Sequence, residues 1–312
     1  MKQLLDTRVD ELIARCPCKL TTAVQIAPLT TFRVGGMARV LAEPSTESEL
    51  VNLLVVLRDL ELPYFYLGLG SNILVSDHGF KGVVIRSRGE LGRIEVSGSI
   101  IKAGPAARLL MLTTCAARHS LTGLEQLSGI PGTVAGALFM NAGAYGGEIS
   151  DHLVDVRIVS RDLSIQVMKK SDIAFGYRSA PELRDVIVLS SRYELIPGDR
   201  SAIYKEMRRV WQLRREKQPI AFPSAGSIFK RPPGDYAGRL IEEAGLKGHR
   251  VGGAVVPTAH AGIFINDRGA QASEIAELIR KVRSDVYRKF AVMLENEIIP
   301  VGFDVDPFQI HV

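Results

Sequence analysis

Apolar residues recur along this 312-residue chain at two spacings, helical and alternating, and their interleaving predicts a mixed architecture. Leu4, Leu5, Val9, Leu12 and Ile13 fall at helical spacing, which predicts a short amphipathic helix over residues 2–15. Pro44 precedes Thr46, and Thr46 with Glu49 has the spacing of a capping box before LVNLLVVLRDL, a run that Pro63 ends. Tyr64-Phe65-Tyr66-Leu67 reads as a buried strand entering a glycine turn, and ILVSDHGFKGVVIRSRG as two short strands around Gly79. Segments 93–103, 153–169 and 185–195 alternate apolar with polar residues, as half-buried strands do; Val154, Val156 and Ile158 show the pattern. Between them, 105–120 predicts a helix with Leu109, Leu110, Leu112 and Ala116 on one side. A basic helix is expected over 200–217, followed by loops punctuated by Pro219, Pro223, Pro232 and Pro233. A last helix runs from about Ser273, with Glu274 and Glu277 in its first turn, Arg288 and Lys289 near its end, and a stripe of Ile275, Leu278, Ile279, Val282, Val286 and Phe290. The strand VMLENEIIPVG follows, and the organisation is α+β with a boundary near residue 200.

Composition narrows the class. Hydrophobic residues are 46% and charged residues 23%, as in a folded globular protein, and at roughly 150 residues per domain the length suggests about two domains. No apolar run approaches the ~18 residues of a membrane span. Asp6, Arg8, Asp10 and Glu11 stand where a signal peptide needs an apolar core, and Cys16, Cys18 and Cys115 are too few for a disulfide framework. A cytoplasmic protein without a membrane partner is therefore expected. The charge balance is 39 − 34 = +5 and aromatics are 6%, with no nucleic-acid module in view. The basic cluster Lys205, Arg208, Arg209, Arg214, Arg215 and Lys217 is either a solvated helix face or a site for a small polyanion such as a diphosphate.

Three constellations carry candidate chemistry. Gly68-Leu69-Gly70-Ser71-Asn72 follows a strand, where glycines let backbone N–H groups approach phosphate oxygens; a strand rather than a helix comes next, so a Rossmann fingerprint fails and a plain hairpin turn is the alternative. The glycine-dense run from Gly129 to Gly147 suits close approach to a large flat ligand or its pyrophosphate, or else tight packing on a sheet. Phe175-Gly176-Tyr177-Arg178, the segment Pro223–Lys230 and Glu295-Asn296-Glu297 supply an Arg, a Ser and two Glu. These make no hydrolytic triad, and the histidines show no metal-ligand spacing, so no metal is expected. On a strand, Glu295 and Glu297 would point to one face, and residue spacing alone leaves open which of them acts.

The ordered set LTTFRVGG, GLGSNILVSD, SGIPGTVAGALFMNAGAYGGE, FGYR, PSAGSIFK, LIEEAGLKG and LENE, from about residue 30 to residue 300, resembles the UDP-N-acetylenolpyruvoylglucosamine reductase family. The resemblance implies the FAD-binding fold shared with vanillyl-alcohol oxidase and p-cresol methylhydroxylase. Its two subdomains would be residues 1–84 and 85–200, followed by a C-terminal α+β substrate domain over 201–312 whose last strand is free to return to the FAD-binding part. It implies an NADPH-dependent flavoenzyme that reduces the enolpyruvyl ether of a UDP-N-acetylglucosamine derivative to UDP-N-acetylmuramate, with a small-molecule nucleotide sugar as its partner and no nucleic acid. Gly68, Gly70, Ser71 and Asn72 would then face the pyrophosphate of FAD. Gly129, Gly132, Gly136, Asn141 and Ala142 would face the flavin half, with Arg33, Ile130, Pro131 and Gly143 also in the cofactor cradle. Neither glycine motif holds His or Cys, so noncovalent FAD is expected. Arg178 would meet the substrate carboxylate, Ser227 would donate a proton and Glu297 would be its partner acid. Tyr145, Lys217, Lys247 and His260 would contact the nucleotide sugar. Hydride from flavin N5 to the methylene carbon develops enolate charge, which calls for a fixed cation and an acid. The separation 227 − 178 = 49 resembles the shorter members, which lack a tyrosine-bearing loop. Arg231 departs from the family pattern, where Asn is usual, and Ala180 replaces a frequent Ser. An oxidase on the same fold and a noncatalytic flavin or nucleotide-sugar binder are the competing readings; the second predicts a broken Arg–Ser–Glu set, and all three residues stand.

Overall fold

The computed structural model describes residues 2–310, with side chains from residue 7 onwards. The chain divides into two compact units, each assembled from separated stretches. The first takes the chain up to Thr22, then Val40–Gly68 and Gly82–Leu213; the second takes Ala23–Arg39, Leu69–Lys81 and the chain from Arg214 on.

In the first unit, helix α1 (Lys2–Arg15) buries Val9 and Leu12, while Ile13, at the edge of that stripe, stays exposed; Leu4 and Leu5 lie outside the residues whose side chains are described. Helix α2 (Glu47–Asp59) starts where its cap predicts, Thr46 Oγ1 accepting from Glu49 N–H at 3.2 Å. The reciprocal half of the box is displaced by one residue: the Glu49 carboxylate accepts from Ser45 N–H at 2.7 Å and Ser45 Oγ at 2.9 Å. Leu50, Leu53, Leu54 and Leu57 pack with Val40, Ala42, Val83 and Ile85 of a sheet in the order β1-β2-β5-β3, formed by β1 (Lys19–Gln25), β2 (Met37–Glu43), β3 (Tyr64–Tyr66) and β5 (Phe80–Ile85). Strand β3 is not the buried strand expected over Tyr64–Leu67. It is the sheet's edge, paired on one side only, and Tyr64 is exposed.

A second sheet holds the alternating segments in the antiparallel order β12-β11-β13-β7-β6: β6 (Ile94–Ser97), β7 (Ile100–Ala103), β11 (Leu153–Val159), β12 (Ile165–Lys169) and β13 (Ile187–Glu194). Its core includes Leu109, Leu112 and Ala116 of helix α3 (Leu109–Arg118); Leu110 is exposed instead, because 100° of rotation per residue carries it off that face. Strands β8 (Leu121–Thr122) and β14 (Ile196–Pro197) pair beside it, and the short helix α4 (Val134–Phe139) leads to the hairpin of β9 (Gly143–Ala144) and β10 (Gly147–Glu148). Helix α5 (Arg200–Lys217) buries Ile203, Met207 and Val210 at helical spacing and leaves Arg208, Arg209 and Arg215 in solvent.

The second unit is built on helix α7 (Ala272–Phe290), whose Ile275, Leu278, Ile279, Val282 and Val286 share a core with Phe32, Leu74, Ile228 and Phe264. Helix α6 (Ala237–Glu243) and the antiparallel strands β15 (Arg250–Val251), β16 (Ala254–Val255) and β17 (Ile265–Asn266) belong to it. So does β4 (Ile73–Val75), parallel to β18 (Ile299–Val301). Of VMLENEIIPVG only Ile299–Val301 forms a ladder, because the Leu294 carbonyl accepts from Arg283 Nε at 3.0 Å and the segment after it makes a single bridge, Phe229 to Asn296. Gly68–Asn72 is no hairpin either: its flanking strands β3 and β4 pair in parallel with different partners, β5 and β18. Asp77, just past β4, caps α7 across the sequence, its two oxygens accepting from Ala272 N–H at 2.7 Å and Ser273 N–H at 2.9 Å. Among the described residues no helix is long and apolar enough to cross a membrane.

Candidate active site

In the first unit both glycine motifs contribute close backbone. A Cβ on Gly68 would stand 2.6 Å from Thr133 Oγ1, so no side chain fits there. Thr133 in turn caps α4, accepting from Gly136 N–H at 3.3 Å. Gly129, Ile130, Pro131, Gly132 and Gly136 reach the surface, while behind them Ser128 and Asn141 are fully buried, with Ser128 Oγ and Asn141 Oδ1 left without a hydrogen-bond partner. Buried polar atoms are nearly always satisfied, so two such acceptors beside a glycine ledge mark a place for a ligand that brings its own donors.

The β9–β10 hairpin closes through Tyr145 (φ +53°) and Gly146 (φ +87°), the two left-handed residues of a type I′ turn, which puts Tyr145 at its tip. Asn141 donates from Nδ2 to the Glu148 carboxylate at 2.6 Å and to the Gly176 carbonyl at 3.1 Å. Gly176 and Ser179 bond each other in both directions, at 2.9 and 3.1 Å, with Tyr177 and Arg178 between them. Arg178 takes the left-handed third position of that turn (φ +54°). Its Nη2 donates to the Gly143 carbonyl at 3.1 Å, and its guanidinium lies 5.2 Å from the centre of the Tyr177 ring. The two loops are thus laced together, Asn141 reaching to 176 and Arg178 reaching back to 143. Arg33, Asn141, Tyr145 and Arg178, four residues singled out from the sequence, all have left-handed φ, where non-glycine backbone is strained.

In the second unit Thr31 donates from its N–H and its hydroxyl to the Gly70 carbonyl, at 3.1 and 3.3 Å, beside the exposed Arg33. Gly70 has φ +65°, and a Cβ there would meet the Leu29 carbonyl at 2.7 Å. A Cβ on Gly226, just before Ser227, would be 3.9 Å from the Ser71 carbonyl. Ile228, just after Ser227, donates to the Gly262 carbonyl at 3.0 Å and accepts from Glu297 N–H at 2.8 Å. Asn72 donates from Nδ2 to the Glu297 carbonyl at 3.1 Å. Hydrogen bonds through the Glu297 backbone therefore link the Asn72 side chain to Ile228, the neighbour of Ser227. The two glutamates do not act as a pair on one face: Glu295 is exposed and ion-paired with Lys230, while Glu297 is half-buried, since one bridge does not impose a regular pleat. His260 Nδ1 accepts from Gly262 N–H at 3.2 Å, which leaves its proton on Nε2. Burial first, and the Lys247 charge to a lesser degree, hold His260 below the usual histidine pKa. Lys247 itself pairs with Glu242 at 2.6 Å, Lys217 ends α5 exposed, and Arg231 lies 4.6 Å from the centre of the Tyr236 ring. The sequence reading missed Thr133 inside the glycine-dense run, Ser128 and Glu148 at its two ends, and Asp77. Among the described residues no three His, Cys, Asp or Glu gather as a metal site.

Residues 38–168 match the FAD-binding domain family, which puts the chain in the class of flavin-dependent oxidoreductases. Residues 218–301 match the UDP-N-acetylenolpyruvoylglucosamine reductase C-terminal domain. The chain is 44% identical over 274 residues to the UDP-N-acetylenolpyruvoylglucosamine reductase of Caldanaerobacter subterraneus, covering 88% of this chain and 90% of that one. It is 44% identical to the Streptococcus pneumoniae (strain JJA) reductase, covering 86% and 90%. The crystal structure of the Thermus caldophilus reductase superposes with a TM-score of 0.79 at 36% identity, covering 91% of this chain and 99% of that one. The chain belongs to the UDP-N-acetylenolpyruvoylglucosamine reductase family: it is an FAD oxidoreductase of peptidoglycan precursor synthesis, with UDP-N-acetylmuramate dehydrogenase activity and NADPH as reductant.

Proposed function

We propose that this enzyme reduces the enolpyruvyl ether of UDP-N-acetylglucosamine enolpyruvate, with Arg178, Ser227 and Glu297 as its catalytic residues. The residues fit FAD: Ser128 Oγ and Asn141 Oδ1, both within the glycine-rich segment or beside it in sequence, are buried polar atoms without a hydrogen-bond partner. Arg33, Gly68, Gly70, Ser71 and Asn72 would hold it noncovalently, together with Gly129, Ile130, Pro131, Gly132, Gly136, Asn141, Ala142 and Gly143. When bound, FAD would supply the redox chemistry, taking reducing equivalents from NADPH and providing the hydride that the enol ether's methylene carbon needs. Arg178, stiffened by its turn and its bond to Gly143, offers a fixed cation to the substrate carboxylate as negative charge spreads into it. The Ser227 hydroxyl gives its proton to the other carbon, and Glu297 supports that transfer. Tyr145, Lys217, Lys247 and His260 bind the nucleotide sugar, with His260 neutral and donating from Nε2.

We assign residues 1–84 and 85–200 to the flavin subdomains and 201–312 to substrate, in a cytoplasmic enzyme of the shorter type without the tyrosine loop, whose partner is this small molecule rather than nucleic acid or membrane. The observation that carries the reading is the 2.8 Å bond from Glu297 N–H to the Ile228 carbonyl, which ties the acid to the residue following Ser227. Ser227→Ala tests it by stopped-flow of the two half-reactions. Flavin reduction by NADPH should survive, while reoxidation by the enolpyruvyl substrate should fall by more than the ~10²–10⁴ credited to one acid–base group. Equal loss in both halves would make Ser227 structural.

A further inference from the structure

Cys16 and Cys18, at the junction between α1 and β1, are not among the residues placed in the reaction or the cofactor cradle. Pro17 alone separates them, and their Sγ atoms stand 3.3 Å apart in hydrogen-bond contact. Cys16 Sγ also donates to the Cys18 carbonyl at 3.6 Å. Neither is a sealed core cysteine: both are half-buried against the α1–α2 core, and Pro17 between them is exposed. Nor is the pair placed as a staple, because cross-link stabilisation grows with the loop enclosed, and here one residue is enclosed. We infer that Cys16 and Cys18 form a redox-active dithiol that is oxidised to an intramolecular disulfide by low-molecular-weight disulfides.

The chemistry balances without further parties. Cys16 thiolate attacks one sulfur of a disulfide RSSR and expels RS⁻. Cys18 loses its proton and attacks the Cys16 sulfur, expelling a second RS⁻. Two thiols are oxidised, one RSSR is reduced to two RSH, and the two cysteine protons leave with the products. The order of attack follows from the local groups. The Cys18 thiol hydrogen-bonded to it draws the Cys16 pKa down to about 7, against a smaller opposing effect of burial and of Glu49 on α2. Cys18 is pushed upward by the same contact and keeps its proton until the second step. Cys115, raised by burial, is the internal control.

The test uses FAD-loaded enzyme with oxidised glutathione as the probe, acid quenching, denaturing alkylation and intact-mass analysis. The expected product has one alkylated cysteine, Cys115, in place of three, a mass about 2 Da lower than the reduced chain before alkylation, and no retained glutathione; dithiothreitol restores all three thiols. Cys18→Ser should stop at a glutathione adduct on Cys16, and brief alkylation of native protein near pH 7 should modify Cys16 about tenfold or more faster than Cys115. Three alkylatable cysteines after oxidation, a stable glutathione adduct on the wild-type chain, or a disulfide reaching Cys115 would overturn the inference.

Discussion

Replacing Asn141 by Ala should loosen the turn that carries Arg178, and the cost can be worked from its contacts. The side chain is fully buried and gives one hydrogen bond to the Glu148 carboxylate and one to the Gly176 carbonyl. A bond to a charged group is worth about 1.5–3 kcal/mol and a neutral one about 1 kcal/mol. At φ +41° Asn is tolerated, whereas Ala adds roughly 1 kcal/mol of left-handed strain. The sum, about 3.5–5 kcal/mol, is a large share of the ~5–15 kcal/mol that holds a domain together, so the variant should fold but be visibly weakened. Urea unfolding followed by far-UV circular dichroism, with FAD in excess, reads the loss. Transient kinetics should show reoxidation by the nucleotide sugar impaired more than reduction by NADPH. Asn141→Asp sharpens the test by setting a second carboxylate against Glu148. That repulsion raises a carboxyl pKa in the folded state, so the folded form gains protons first and the deficit should narrow as pH falls from about 7 towards 5. Wild-type stability in Asn141→Ala, or a deficit in Asn141→Asp that ignores pH, would refute the clamp.

Four further expectations follow from other contacts. Asp77→Ala removes two acceptors from the start of α7 and should cost about 1–3 kcal/mol in the same unfolding assay, with Asp77→Asn roughly halving the loss; an unchanged midpoint in both would deny the cap its role. Lys247→Ala and Lys217→Ala should raise KM for the nucleotide sugar with kcat nearly kept, and wild-type KM in both would remove the diphosphate from that part of the chain. Arg178→Lys should lower kcat itself, since one point charge replaces a fixed planar fork. Because His260 is held below its ordinary value, the unfolded chain binds a proton first as pH falls through about 6.5. The stability linked to His260 is therefore present above that pH and lost below it, and His260→Gln should flatten the stability profile between about pH 7 and 5. A profile identical to wild type would show that His260 is not so held.

What was legible in the sequence was what is local. Helices α2, α5 and α7 and the strands of the second sheet announce themselves through spacing and caps that lie within a few residues. The failures share a cause in distant pairing. The pattern of Tyr64–Leu67 does not reveal that the strand is a sheet edge, and Glu295-Asn296-Glu297 alternates like a strand but finds only one bridging partner. The glycines and the Arg, Ser and Glu of the proposed site are legible only as members of their motifs. The Asn141 bond to Gly176 spans 35 residues and the Asp77 cap spans 195, so no window along the chain contains either relation. Polar side chains that hold a loop are read from a sequence only as motif members, and their work becomes visible once their acceptors are placed.

The interleaving of the two units sets the order in which the molecule can be made. Phe32, Val34 and Leu74 belong to the core completed by α7, and 275 − 74 = 201 residues separate Leu74 from Ile275. At roughly 5–20 residues per second of synthesis, these apolar side chains wait on the order of 10–40 s before their partners leave the ribosome. During that interval the first unit already has most of its own segments, while the early pieces of the second remain exposed stretches joined into its sheet strands. A chain stopped near Leu213 would leave those side chains without their core.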